Sequence, residues 1–154
     1  MKIEYINPFV QAASSVLTTI LRVTPNVGRP ALLPSPFRGR AINIVCGVTG
    51  QAQGQVVYSM DHATALGIAA GMIGMPVAAF DQLAASAIAE LGNMISGNAL
   101  VHLSDNGYIC DITPPTLVSG ADVEISTLSI PAVALPLTLP QGLLLINIGL
   151  QGRK

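Results

Sequence analysis

Ala84-Ala85-Ser86-Ala87-Ile88-Ala89-Glu90-Leu91-Gly92-Asn93-Met94-Ile95-Ser96-Gly97-Asn98-Ala99 is the stretch from which the rest of the chain is read. Its spacing is that of a helix whose polar stripe holds an acid and an amide three residues apart, among little but Ala, Gly and Ser. Glu90 is the only acidic residue between Asp81 and Asp105. At about 100° per residue, Ala84, Ile88, Leu91 and Ile95 gather within roughly 60° of arc and make a core face. Ser86, Glu90, Asn93 and Gly97 form the opposite stripe. Glu90 and Asn93 are thereby predicted to reach solvent on one side, about one turn apart.

Ala89, Gly92, Ser96 and Gly97 read as small bystanders on that surface, low enough for a partner's backbone to come close. Gly92 and Gly97 each cost a helix interior about 1 kcal/mol relative to Ala, so helix stability does not call for them. Two readings stay open on the wheel alone: an ordinary polar face that is merely sparse, or a docking face with two long side chains as probes. An isolated Glu-x-x-Asn pair can hold a cation with one side chain and a water with the other. Asn98 falls near the core side and reads as a buried amide tied to backbone.

Several chemistries have no support. Ser86 has no His or Lys at helical spacing to serve as a base. Glu90 and Asp81 are too far apart along a helix to flank one scissile bond. Gly47-Val48-Thr49-Gly50-Gln51 lacks the Lys-Ser/Thr ending of a phosphate-binding loop. His62 and His102 stand alone and no Cys/His cluster has ligand spacing, so no metal site is expected. Cys46 and Cys110 lie in apolar, strand-like segments and read as free thiols in a reducing compartment, a disulfide or metal pair being the alternative.

The chain of 154 residues is expected to form a single domain over residues 1–154, long enough for a real core. With 51% hydrophobic residues, 10% charged residues and a net charge of -1, it has no electrostatic basis for binding nucleic acid or an anionic membrane. Met1-Lys2-Ile3-Glu4-Tyr5 lacks the apolar core of a signal peptide. Ala63 to Phe80 is uncharged, but Ala and Gly dominate it and Pro76 interrupts it, so it reads as a buried helix and turn rather than a membrane span. A cytoplasmic location is expected.

Outward from the helix, Asn7 and Pro8 read as the N-cap and first position of an amphipathic helix carrying Phe9, Val10, Ala13, Val16, Leu17, Ile20 and Leu21. Thr24-Pro25 ends it. The proline-rich Arg29 to Gly39 reads as loop or short edge strand. Strands follow at about Arg40 to Thr49 and Gly54 to Met60, joined at Gly50-Gln51-Ala52-Gln53. Asp61 reads as the cap of a second helix to about Gly74. Asp81 does the same for the third, to about Leu103. Strands return at Tyr108 to Thr113, at Asp122 to Leu128, and as a hairpin of Ala132 to Leu139 with Leu143 to Gly149. The order predicts an α+β fold, a mostly antiparallel sheet packed by two long helices and a shorter one, with a loose helix-then-strands duplication.

Ser86-x-x-x-Glu90-x-x-Asn93 with Met94-Ile95-Ser96-Gly97-Asn98-Ala99 resembles the signature of the CheC/CheX/FliY family of chemotaxis phosphatases, most closely its CheX branch. Tyr5-Ile6-Asn7-Pro8-Phe9-Val10, the segments Gly47 to Gly50 and Gly54 to Val57, and Asp111-Ile112-Thr113-Pro114-Pro115-Thr116 extend the resemblance over nearly the whole chain. It implies a CheC-like fold and dephosphorylation of a phosphorylated CheY-type response regulator. Carried over, Glu90 docks on the regulator's active-site lysine and Asn93 orients the attacking water, with Ser86 and Gly97 as partner-binding positions. Magnesium would belong to the regulator, leaving this chain without a cofactor of its own. Some members carry the motif on two helices. Here the corresponding turn is Gln11-Ala12-Ala13-Ser14, so one site per chain is expected. The resemblance also implies a homodimer formed through the sheet. Two other readings are carried forward: a CheC-like module that binds a regulator or flagellar switch component without hydrolysis, and a structural domain whose sparse helix face packs on another subunit.

Overall fold

The computed structural model describes residues 2–127 and 130–152. A first helix, α1 (Ile3–Leu21), is followed by three short strands, β1 (Asn26–Val27), β2 (Ala31–Leu33) and β3 (Phe37–Arg38), and by the long β4 (Ile42–Gly50) and β5 (Ala52–Met60). Then come α2 (His62–Ile73) and α3 (Gln82–Asp105). Three more short strands, β6 (Cys110–Ile112), β7 (Thr116–Ser119) and β8 (Glu124–Ile125), lead to the long β9 (Ala132–Leu139) and β10 (Gly142–Gly152). Every strand pairing is antiparallel, so the α+β expectation holds.

The duplication is more definite in space than in sequence. Hairpins β4–β5 and β9–β10 abut through β5 and β10 at the centre of an eight-stranded sheet. The first half of the chain lends β1 and β2 to β9, and the second half lends β6 and β7 to β4. The third short strands, β3 and β8, pair with each other. Each half thus closes the open edge that the other half's hairpin would present, which removes a long unpaired edge from both.

Alternation along the four long strands decides the layers. Ile44 and Cys46 of β4, Val56 and Tyr58 of β5, Ile146 and Ile148 of β10, and Leu135 of β9 are buried on one face. Tyr58 hydrogen-bonds α3 from that face, which makes it the helix side, where Phe9, Leu17, Ile88, Leu91 and Ile95 complete the core. The opposite face buries a polar cluster. Asn43, Ser59 and Asn147, 0%, 1% and 4% exposed, are joined by Ser59 Oγ donating to Asn43 Oδ1 at 2.7 Å and Asn147 Nδ2 donating to Ser59 Oγ at 3.3 Å. The segments flanking β3 and β8 cover this face, through Gly39 against Asn43 and Thr127 against Gly149.

The start of α1 differs from the reading of Asn7 and Pro8. The helix begins at Ile3, behind Lys2, and Pro8 lies inside it. A proline there removes the N–H that would serve the Glu4 carbonyl, at a cost of about 3 kcal/mol in an unsupported helix. Asn106 Nδ2, from just beyond α3, donates to that carbonyl at 3.3 Å, and the Tyr108 hydroxyl donates to Glu4 Oε2 at 3.1 Å. A tertiary donor replaces the missing local one. Asp61 stands at the N-cap of α2 without capping it and pairs instead with Arg40 at 3.2 Å.

Other boundaries shift for reasons of pairing. Only Gln51 separates β4 from β5, because Thr49 and Gly50 continue onto β6 while Ala52 and Gln53 continue onto β10. The strand expected at Asp122 to Leu128 shrinks to Glu124–Ile125, and Leu128 lies outside the described residues. Strand β7, mostly exposed and without alternation, carried no periodic signal. Among the described residues no helix is long and apolar enough to cross a membrane.

Candidate functional site

Helix α3 spans 24 residues and holds the predicted stripe. Asp81 Oδ1 accepts from the Ala84 backbone N–H at 2.8 Å and fixes its start, as the sequence suggests. The helix packs on α1, α2, β4 and β6 through Ala84, Ile88, Leu91 and Ile95, all buried. Ser86 and Glu90 are exposed, while Asn93 and Gly97 are half-buried on the same side, so all four candidate residues lie together. A Cβ added at Gly97 would meet no atom within 4 Å beyond its neighbours and its own helix backbone, which leaves that end of the stripe open to a partner.

Two of the supposed bystanders are placed otherwise. Gly92 and Ser96 are buried, on the sheet side of the helix. Gly92 packs on Ile44 and Tyr58, and Ser96 Oγ is 2.7 Å from Tyr58 Oη. The sequence reading put them on the polar surface because small side chains give no hydrophobic signal in either direction, although by angle they lie between the stripe and the core face. Asn98 is half-buried rather than buried.

Two residues of this surface escaped the sequence reading. Leu83 and Val101 are each 60% exposed. Seven residues before Glu90 and eleven after it, they share its line along the helix, about 27 Å apart end to end. Spacings of seven and eleven were the available signal, hidden because apolar residues on a helix are assigned by default to the core.

The electrostatics of the face are simple. Among the described residues Glu90 makes no ion pair; the pairs present are Arg40 with Asp61 and Arg38 with Asp122. Beneath the face, burial pushes the Tyr58 phenol and the Cys46 thiol up, against a smaller opposing effect of hydrogen bonding to Ser96, and both stay protonated at neutral pH. Cys46 and the half-buried Cys110 are free thiols. No group of three or more His, Cys, Asp or Glu among the described residues could hold a metal ion. What the face offers is one free carboxylate for a cationic partner group and one amide able both to donate to and accept from a water.

A family model described as chemotaxis phosphatase CheX matches residues 42–138, from β4 through β9 with all of α3 between. The CheY-P phosphatase CheX of Thermotoga maritima is 34% identical over 131 residues, 84% of each chain. This chain belongs to the CheX family of chemotaxis phosphatases. Solved structures extend the CheX likeness to the whole fold. A CheC-like superfamily protein from Shewanella sp. PV-4 is 28% identical with a TM-score of 0.88, covering 99% of this chain and 100% of that one. CheX of Borrelia burgdorferi, in a complex with CheY, beryllium fluoride and magnesium, is 33% identical with a TM-score of 0.83, covering 97% and 99%. CheX membership makes the chain a phosphatase.

Proposed function

We propose that the chain, as one CheX-like phosphatase domain, hydrolyses the aspartyl phosphate of a phosphorylated CheY-type response regulator. The observation that carries this is the exposed Glu90 beside the half-buried Asn93 on one side of α3, in a chain 34% identical to a CheY-P phosphatase. Glu90 accepts a hydrogen bond from the regulator's active-site lysine and sets the register of docking. Asn93 enters beside the phosphate and holds a water in line with the bond to be broken. The water oxygen bonds to phosphorus as the P–O bond to aspartate breaks. The carboxylate leaves with the electron pair, and the water's proton passes to the phosphate product or to solvent. An amide is too weak a base to take that proton; its contribution is position, which is much of what phosphoryl transfer asks of a protein. Ser86 and Gly97 flank the pair as contact positions, and Leu83 and Val101 supply apolar ends to the docking line. The magnesium ion belongs to the regulator; magnesium is a component of the solved complex of CheX with CheY and beryllium fluoride from Borrelia burgdorferi.

On this reading the protein works in the cytoplasm, where its substrate is made. It also pairs with itself through the sheet, whose β1–β2 edge exposes Val27 and Leu32. Light scattering on the purified protein tests that pairing: a mass of one chain at all concentrations rejects it.

The function is tested by the decay of phosphate from a purified CheY-type regulator in the presence of this chain, Asn93→Ala or Glu90→Ala. The wild type is expected to accelerate decay. Asn93→Ala is expected to lose on the order of 100-fold of that acceleration while still binding the beryllium-fluoride form of the regulator. Glu90→Ala is expected to weaken both. A folded wild type that binds the regulator but leaves the decay rate unchanged would identify a binding module instead.

A further inference from the structure

Gly92 stands immediately before Asn93 and lies against the sheet so closely that a Cβ there would sit 2.7 Å from Ile44 Cγ2 and 3.3 Å from Tyr58 Cδ2. One turn on, Ser96 Oγ and the Tyr58 hydroxyl are 2.7 Å apart, both buried. Asn93 is therefore carried on a turn of α3 that meets the sheet through Gly92 and the Ser96 hydroxyl, beside the buried Leu91 and Ile95.

The two kinds of contact constrain a helix differently. Ile88, Leu91 and Ile95 hold α3 down through apolar contact, which is non-directional. A hydroxyl pair is directional and weakens steeply when bent or stretched. Tyr58, rising from the centre of the sheet, is a rigid strut of fixed length. Gly92 lets the backbone come down onto it. Together they fix both the height and the rotation of the turn. A rotation of about 10° moves a side-chain tip lying about 5–6 Å from the helix axis by about 1 Å. A misplacement of that size can reduce turnover on the order of 100-fold.

We infer that Gly92 and Ser96, seated on Ile44 and Tyr58, are positioning residues that set the place of Asn93 in the reaction. The inference rests on the phosphatase reading above.

Gly92→Ala is the direct test. The added methyl meets a β-branched side chain with little rotational freedom, so the turn must lift or rotate. Turnover of the phosphorylated regulator and Kd for its beryllium-fluoride form are measured for wild type, Gly92→Ala, Ser96→Ala and the double variant Gly92→Ala/Ile44→Ala. Ile148→Val, on β10, serves as a control for lost core packing. Gly92→Ala and Ser96→Ala are expected to lower kcat by about 10- to 100-fold with Kd changed by no more than about threefold. The double variant, which removes the obstructing methyl, is expected to recover most of kcat, and the control to keep it. Wild-type kcat in folded Gly92→Ala and Ser96→Ala overturns the inference and leaves the phosphatase reading intact. A double variant that stays as slow as Gly92→Ala also overturns it, as does an equal loss in Ile148→Val. A wild type without activity removes both. If Gly92→Ala does not fold, Ser96→Ala decides alone.

Discussion

Replacing Asn43 by alanine removes four hydrogen bonds at one position. The Asn43 amide donates to the Arg40 carbonyl at 2.8 Å and to the Val118 carbonyl at 3.1 Å. Its Oδ1 accepts from the Arg40 N–H at 3.1 Å and from Ser59 Oγ at 2.7 Å. One side chain thus ties β4 to β5, to β7 and to the segment leading in from β3. At a net of about 1 kcal/mol per bond the loss would be about 4 kcal/mol. The Arg40 groups are only partly buried and recover water, which brings the expected loss to about 3 kcal/mol. For a chain of this size that corresponds to a Tm lower by about 6–12 °C. Urea unfolding followed by far-UV circular dichroism measures it, at an unchanged m-value. A loss below about 1 kcal/mol would refute the reasoning, since it would mean that the two carbonyls and Ser59 find other partners at no cost. Asn43→Asp sharpens the test. Two of the four partners are carbonyls, which repel a carboxylate, so the folded state holds this acid protonated and raises its pKa above the ordinary value of about 3.9. The variant should be nearest to wild type at pH about 4 and fall away as pH rises toward 7. Neither substitution touches α3, and phosphatase turnover of the folded protein is expected to persist.

Three further outcomes are expected. Asn106→Ala should cost about 1 kcal/mol in the natural chain but little in a Pro8→Ala background, where a helical N–H again serves the Glu4 carbonyl; additivity in a double-mutant cycle would refute that compensation. The Tyr108 phenol is pushed up to about 12, first by its hydrogen bond with Tyr5 and then by burial and by Glu4, so the folded state favours its neutral form. Its contribution is present below the unfolded value of about 10 and is lost as pH rises through about 12. Tyr108→Phe should therefore flatten the loss of stability in that alkaline window. In the native protein Cys110 should react with a thiol reagent well before Cys46, which is buried and held protonated and should react only on unfolding; equal rates by mass spectrometry would contradict the buried placement.

Much of this was legible because the signals were local and periodic. The Asp81 cap, the core face of α3 and the long strands each depend on residues a few positions apart, and all reappear in three dimensions. The stripe of Ser86, Glu90, Asn93 and Gly97 did as well, since a helix converts spacing directly into direction. The misreadings share another cause. Asn7–Pro8 reads as a helix start only if nothing distant can serve the Glu4 carbonyl, and Asn106 does so from 102 residues away. Gly92 and Ser96 have no hydrophobic signature, so only the approach of Ile44 and Tyr58 shows that they face inward.

The sequence by itself determined the fold class and the family, and it supplied Glu90 and Asn93 as the proposed reactive pair. Helical direction, strand alternation and a motif of fixed spacing are properties of short segments. Tertiary structure alone decided the exchange of edge strands between the halves, the buried Asn43–Ser59–Asn147 cluster and the seat beneath Asn93. Each of these joins groups far apart in the chain, and a buried polar group or an open strand edge is stable only once its distant partner has arrived.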